Sequence, residues 1–190
     1  PALQMRSYTL FPPGVPSHFD CARATMNTQP CCFDVTCTCA CGVQSSEFDR
    51  IIQTETRFAV TLDQLCRSNI GWFHDRTLTT TNTLACWELN TQSGVYLLWH
   101  KNDYCAMHDR IHMRSLYVGK GPIYRRLYDH WQNKDFSVEE NVYWTYLEMP
   151  NRQAKYVEQL LLDLFRFPLN NAENTGQAML CGHRLQTEVD

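Results

Sequence analysis

In the second half of the chain the apolar positions shift from a period of two to about 3.6 and back, and each shift marks an element. Two short stretches around Gly94-Val95-Tyr96 and Tyr117-Val118-Gly119 are β-branched and aromatic, and read as strands. Lys120-Gly121-Pro122 is a turn signal. After it, Ile123, Tyr124, Leu127, Tyr128 and Trp131 recur at helical spacing and predict a helix over 123–131. Val142 to Leu147 reads as another strand, stopped by Pro150-Asn151. A long helix follows from about Arg152 to Phe167, with Val157, Leu160, Leu161, Leu164 and Phe165 toward the core and Pro168 as its end. Upstream, Phe48, Ile51, Ile52, Phe58, Leu62 and Leu65 fit one or two amphipathic helices between Ser46 and Cys66, with Ser45 or Ser46 as N-cap. Residues 1–20, with Pro12, Pro13 and Pro16 around Gly14, read as an extended arm, and 177–190 as a short amphipathic tail that Cys181 could tie to the body.

The polar positions that break this pattern carry the candidate chemistry. Each tripeptide sets a tyrosine at or beside a glycine, which leaves room for another backbone or a ligand. Arg126 and His130 stack one turn apart on the edge of the predicted helix, so a guanidinium and an imidazole look out together. Glu158 sits beside the apolar face of the long helix, a poor packing choice for a carboxylate. Lys101 to Met113 reads as a loop between the first two strands, with His100, His108 and His112 solvent-facing or turned toward nucleic acid in preference to forming a second metal site.

Composition changes the picture in two places. With 190 residues and 44% hydrophobic content the chain can bury a substantial core, and it contains no apolar run of the roughly 18–20 residues that span a bilayer. A net charge of −3 argues against a purely electrostatic nucleic-acid binder. Yet Arg110, Arg114, Lys120, Arg125 and Arg126 have no acid between them, which gives either a local positive cleft or a solvated charged face. The chain opens on Pro1 and is expected to be a piece of a longer protein.

Eight of the ten cysteines precede residue 93. If Cys37 to Cys41 is a strand, the sulfurs of Cys37, Cys39 and Cys41 share one face about 7 Å apart, too far for bonds between neighbours. A structural Zn²⁺ site, disulfides with Cys21, Cys31, Cys32, Cys66 or Cys86, and free buried thiols stay open, Zn²⁺ being disfavoured by the lack of paired Cys-x-x-Cys spacing. Disulfides would imply an oxidising compartment and a secreted or delivered protein. The expected organisation is a Cys-rich accessory region over 1–92, a main unit over 93–176, and the tail.

Taken in order, Gly94-Val95-Tyr96, Tyr117-Val118-Gly119-Lys120-Gly121, Arg126 with His130, Glu158, and Pro168-Leu169-Asn170 resemble the GIY-YIG nuclease domain over roughly residues 93–175. The segment between Tyr96 and Tyr117 is longer than is usual there, and Arg126 comes about one residue early, which leaves Arg125 as a rival. The resemblance implies an α+β fold, a ββαβα unit whose three-stranded antiparallel sheet is flanked by helices. It implies metal-dependent cleavage of phosphodiester bonds. Glu158 would hold Mg²⁺ or Mn²⁺, Tyr96 would be the general base with a pKa lowered by nearby cations, Tyr117 would orient the water or the phosphate, and Arg126 would grip the phosphate. His130 would donate a proton or touch the phosphate. Lys120, Arg125 and Arg114 would add charge toward the substrate, and Asn170 would fix Glu158 or the helix end.

The expected function is therefore a DNA endonuclease, with RNA still open as substrate, and the Cys-rich start suggests a secreted or injected toxin with an immunity or inhibitor protein as partner and no membrane association. A structure-specific repair nuclease, a module that holds nucleic acid without cutting, and a Cys-rich redox or metal-binding protein are the competing readings.

Overall fold

The computed structural model describes residues 42–72, 91–105, 110–133 and 142–188. The arm, the cysteines before residue 42, and His74, Cys86 and His108 lie outside them. In chain order the elements are α1 (Gly42–Glu55), α2 (Leu62–Arg67), β1 (Gly71–Trp72), β2 (Ser93–Cys105), β3 (Arg110–Pro122), α3 (Ile123–Asn133), β4 (Val142–Glu148), α4 (Asn151–Leu164), β5 (Phe165–Arg166), β6 (Ala178–Met179), β7 (Cys181–Arg184) and a final 3₁₀ turn, Gln186–Glu188. The fold is α+β. Its main sheet has five strands in the order β1-β4-β2-β3-β7, all paired antiparallel. The central three are β4, β2 and β3, and β1 and β7 add short edges to them.

Alternation along the strands gives the sheet two apolar faces. Val95, Leu97, Trp99, Met113 and Val118 join Phe48, Ile52, Leu62, Leu65, Val157 and Leu161 in one cluster, so α1, α2 and α4 cover that side. Tyr96, Leu98, Leu116, Trp144 and Tyr146 join Ile123 and Leu127, so α3 covers the other. Each fully buried Leu, Ile, Val or Phe contributes about 1.5–3 kcal/mol, and this stacking on both faces is what fixes the strands. One buried polar chain crosses this core: Trp99 Nε1 donates to Thr145 Oγ1 at 2.9 Å, and that hydroxyl donates to the Leu65 carbonyl at 2.9 Å.

Several sequence expectations need correction. The two tripeptide strands are long, and the predicted loop from Lys101 to Met113 is largely strand, because β2 and β3 stay paired to Cys105↔Arg110. Register shifts between Leu98/Trp99 and Lys101/Asp103 break the alternation that would have revealed this. Ser45 and Ser46 lie inside α1, and the helix cap is Thr61 at α2, which forms a reciprocal capping box with Gln64. The long helix ends at Leu164, ahead of Pro168. Phe165 and Phe167 are both fully buried with exposed Arg166 between them, a strand period, and β5 pairs in parallel with β6. The tail joins the body through backbone pairing of β7 with β3.

Candidate functional site

The pairing of β7 with β3 stops at Arg114, which leaves the outer edge of β3 from Leu116 onward to other partners. The segment after α4 takes that edge. Leu169 N–H donates to the Leu116 carbonyl at 2.9 Å, and the Asn170 side chain accepts from Val118 N–H at 3.0 Å while its amide donates to Val118 C=O at 2.9 Å. Asn170 therefore acts as a one-residue strand clamped on the middle of Tyr117-Val118-Gly119, and it does not fix Glu158 or the helix end. A second such clamp, Asn174 on the N–H and C=O of Phe167, holds the loop that carries Asn170.

The two glycines that looked like room for a neighbour have separate occupants. At Gly94 a Cβ would meet the Leu147 carbonyl and, at 2.9 Å, the Cα of Glu148, so β4 approaches there. At Gly119, opposite Tyr96 in the register, a Cβ would lie 2.6 Å from the Tyr96 Cζ and 2.8 Å from the Tyr117 ring. The Tyr96 phenol thus lies across β3 in the gap that Gly119 leaves, and reaches α3.

There its oxygen is 2.7 Å from His130 Nε2. Tyr117 completes the group, its ring centroid 4.5 Å from His130 and 6.0 Å from Tyr96. Burial holds the Tyr96 phenol well above its usual titration range; neighbouring Tyr117 adds to the rise, and the nearby Arg126 guanidinium pulls the other way. The expectation of a lowered pKa is reversed, because desolvation of a fully buried phenol outweighs one guanidinium. A protonated phenol can donate to Nε2 in the tautomer of His130 that carries its proton on Nδ1.

Glu158, on α4, approaches from the other face. Its carboxylate is 3.9 Å from Lys120 Nζ, with 22% and 28% of the two side chains exposed. Burial raises the Glu158 pKa, Lys120 and Arg126 oppose that, and Glu173 reinforces it. Arg126 bears electrostatically on both Tyr96 and Glu158, and so links the two faces around the free end of β3. Tyr96, Tyr117, His130, Arg126, Lys120 and Glu158 are thus brought together. Arg125 is exposed one helical step, about 100°, away from Arg126. Arg114 lies toward the far end of β3, opposite His100 and Cys181 and apart from the group.

Two neighbours were not foreseen. Glu173 sits in the Asn170–Asn174 loop at φ 56, a left-handed conformation that no local sequence signal marks. His183, on β7, meets His112 edge-on at 4.3 Å between ring centroids, and its pKa is pushed down to about 4 by burial. His112 is accordingly a partly buried packing residue and does not face solvent from a loop.

Among the described residues no group of three His, Cys, Asp or Glu side chains could hold a metal ion, and no helix is long and apolar enough to cross a membrane. A single half-buried carboxylate suits a cation that takes one or two protein carboxylates and keeps its waters, which is the habit of Mg²⁺, and does not suit an all-protein Zn²⁺ or Ca²⁺ cage. No family model matches the chain, and no curated protein or solved structure does either.

Proposed function

We propose that the chain is a metal-dependent endonuclease that hydrolyses phosphodiester bonds of DNA, built on a GIY-YIG-like ββαβα unit formed by β2, β3, α3, β4 and α4. The observation that carries this reading is the Tyr96–His130 contact, with Tyr117 and Arg126 beside it and Glu158 within electrostatic reach of the same arginine. A phenol backed by an imidazole, a fork-shaped cation and a lone carboxylate are the groups that hydrolysis of a phosphodiester calls for.

In this reading Arg126 holds the non-bridging oxygens of the scissile phosphate in its guanidinium fork. As water attacks phosphorus, the Tyr96 oxygen takes the water proton and passes its own to His130 Nε2, so the phenol need never exist as a free phenolate. One P–O bond forms, the opposite P–O bond breaks, and the departing oxygen takes a proton from solvent. Tyr117 lies against the His130 ring and positions the relay. A divalent cation held by Glu158 would supply charge to the phosphate and to the departing oxygen.

Supercoiled plasmid incubated with the purified chain tests the proposal. Conversion to nicked or linear product with Mg²⁺, and none with a chelator, is expected. Intact plasmid under both conditions, with a protein that is folded by circular dichroism, would refute it.

A further inference from the structure

We propose that Lys120 is the resident counter-ion of Glu158 and competes with the divalent cation for that carboxylate. This rests on the nuclease reading only in taking Glu158 as the cation's ligand. The ammonium and the carboxylate are 3.9 Å apart, and each is more than two-thirds buried at the end of β3. That separation exceeds hydrogen-bond length, so the pair is held by charge alone and a cation of higher charge can displace it.

The other charges around Glu158 favour Lys120 for this role. Among the cations that stabilise its ionised form Lys120 has the largest effect, followed by Arg126 and then Lys155. Arg126 also bears on the Tyr96 phenol, and Lys155 is an exposed side chain on α4 itself. Glu173 opposes all three. Lysine is a point charge on a flexible four-carbon stem, so the Lys120 ammonium can move away from the carboxylate without any shift of β3. Without a cation, Lys120 is the ammonium that faces the half-buried carboxylate. When a cation arrives, the ammonium is released beside Arg126, where a phosphate can take it.

Binding of Mn²⁺ alone, without nucleic acid, reads this out by electron paramagnetic resonance of the free ion. Relative to the unaltered chain, Lys120→Met is expected to bind Mn²⁺ about fivefold more tightly, the scale of one partly exposed ion pair. Lys120→Arg should leave the affinity near its starting value, and Glu158→Gln should abolish binding. Lys120→Gln provides a second neutral variant if Lys120→Met unfolds. Unchanged or weaker binding in a folded neutral variant, with binding still dependent on Glu158, would overturn the competition and leave the nuclease reading intact. Equal binding by Glu158→Gln would overturn both the competition and the part assigned to Glu158.

Discussion

The phenol oxygen of Tyr96 lies 2.7 Å from Nε2 of His130, and joins the middle of β2 to α3 across the gap at Gly119. Because burial keeps the phenol protonated, the proposed hydrolysis uses the two residues as one proton-accepting unit, with the imidazole as its terminus. Residues that act as a unit are non-additive. Tyr96→Phe and His130→Gln should each slow single-turnover cleavage by about 10²- to 10⁴-fold, and the double variant should be hardly slower than either. Multiplicative losses would show that the two act separately.

Gly119→Ala tests the seat of the phenol. The added methyl meets the Tyr96 and Tyr117 rings, which must move, at about 1–3 kcal/mol of stability by urea unfolding. Displacement of the phenol from His130 should lower cleavage at least about tenfold in protein that is still folded. Full activity in Gly119→Ala would mean that the geometry of the phenol is not needed.

How much of this was legible in the sequence differs from element to element. Helix α3 was, because Ile123, Leu127 and Trp131 bury one side, and Arg126 and His130 are then forced onto the same flank. Glu158 was legible as a carboxylate beside an apolar stripe. The length of β2 and β3 was not: the shift between Leu98 and Trp99 puts an extra residue, Leu116, opposite them, and the polar His100, Lys101 and His112 read as loop. The end of α4 was misread because Phe165 fits a helical stripe and a strand alternation equally, and only the pairing with β6 decides between them. The phenol pKa could not be read at all, since burial against charge is a contest settled by packing.

Asn170→Asp should loosen β3 by its charge. A carboxylate can still accept from Val118 N–H, but it faces the Val118 carbonyl without a proton to donate. At neutral pH the loss should be about 1–3 kcal/mol in urea unfolding, with partial recovery in acid as the side chain protonates. Asn170→Ala should lose both bonds at every pH. An equal, pH-independent loss in the two variants would contradict this role for the clamp.

His183 makes stability fall in mild acid. Its pKa drops from 6.5 to about 4 on folding, so between those values the unfolded chain binds the extra proton. The stabilisation is present above 6.5 and is lost as pH falls toward 4. Between about pH 7 and about pH 5 it should amount to on the order of 2 kcal/mol. His183→Asn should remove that part of the slope when urea unfolding is compared at the two pH values. An unaltered slope would assign the acid sensitivity to other groups.

The most direct test of the central claim is the single-turnover rate of Glu158→Gln on DNA with Mg²⁺, beside the unaltered chain and with the folded state of both checked by thermal melting. A loss of about 10³-fold or more at a similar melting temperature is predicted, because the substitution keeps the shape of the side chain and removes the charge that faces Lys120 and Arg126. Cleavage at the unaltered rate would contradict the account.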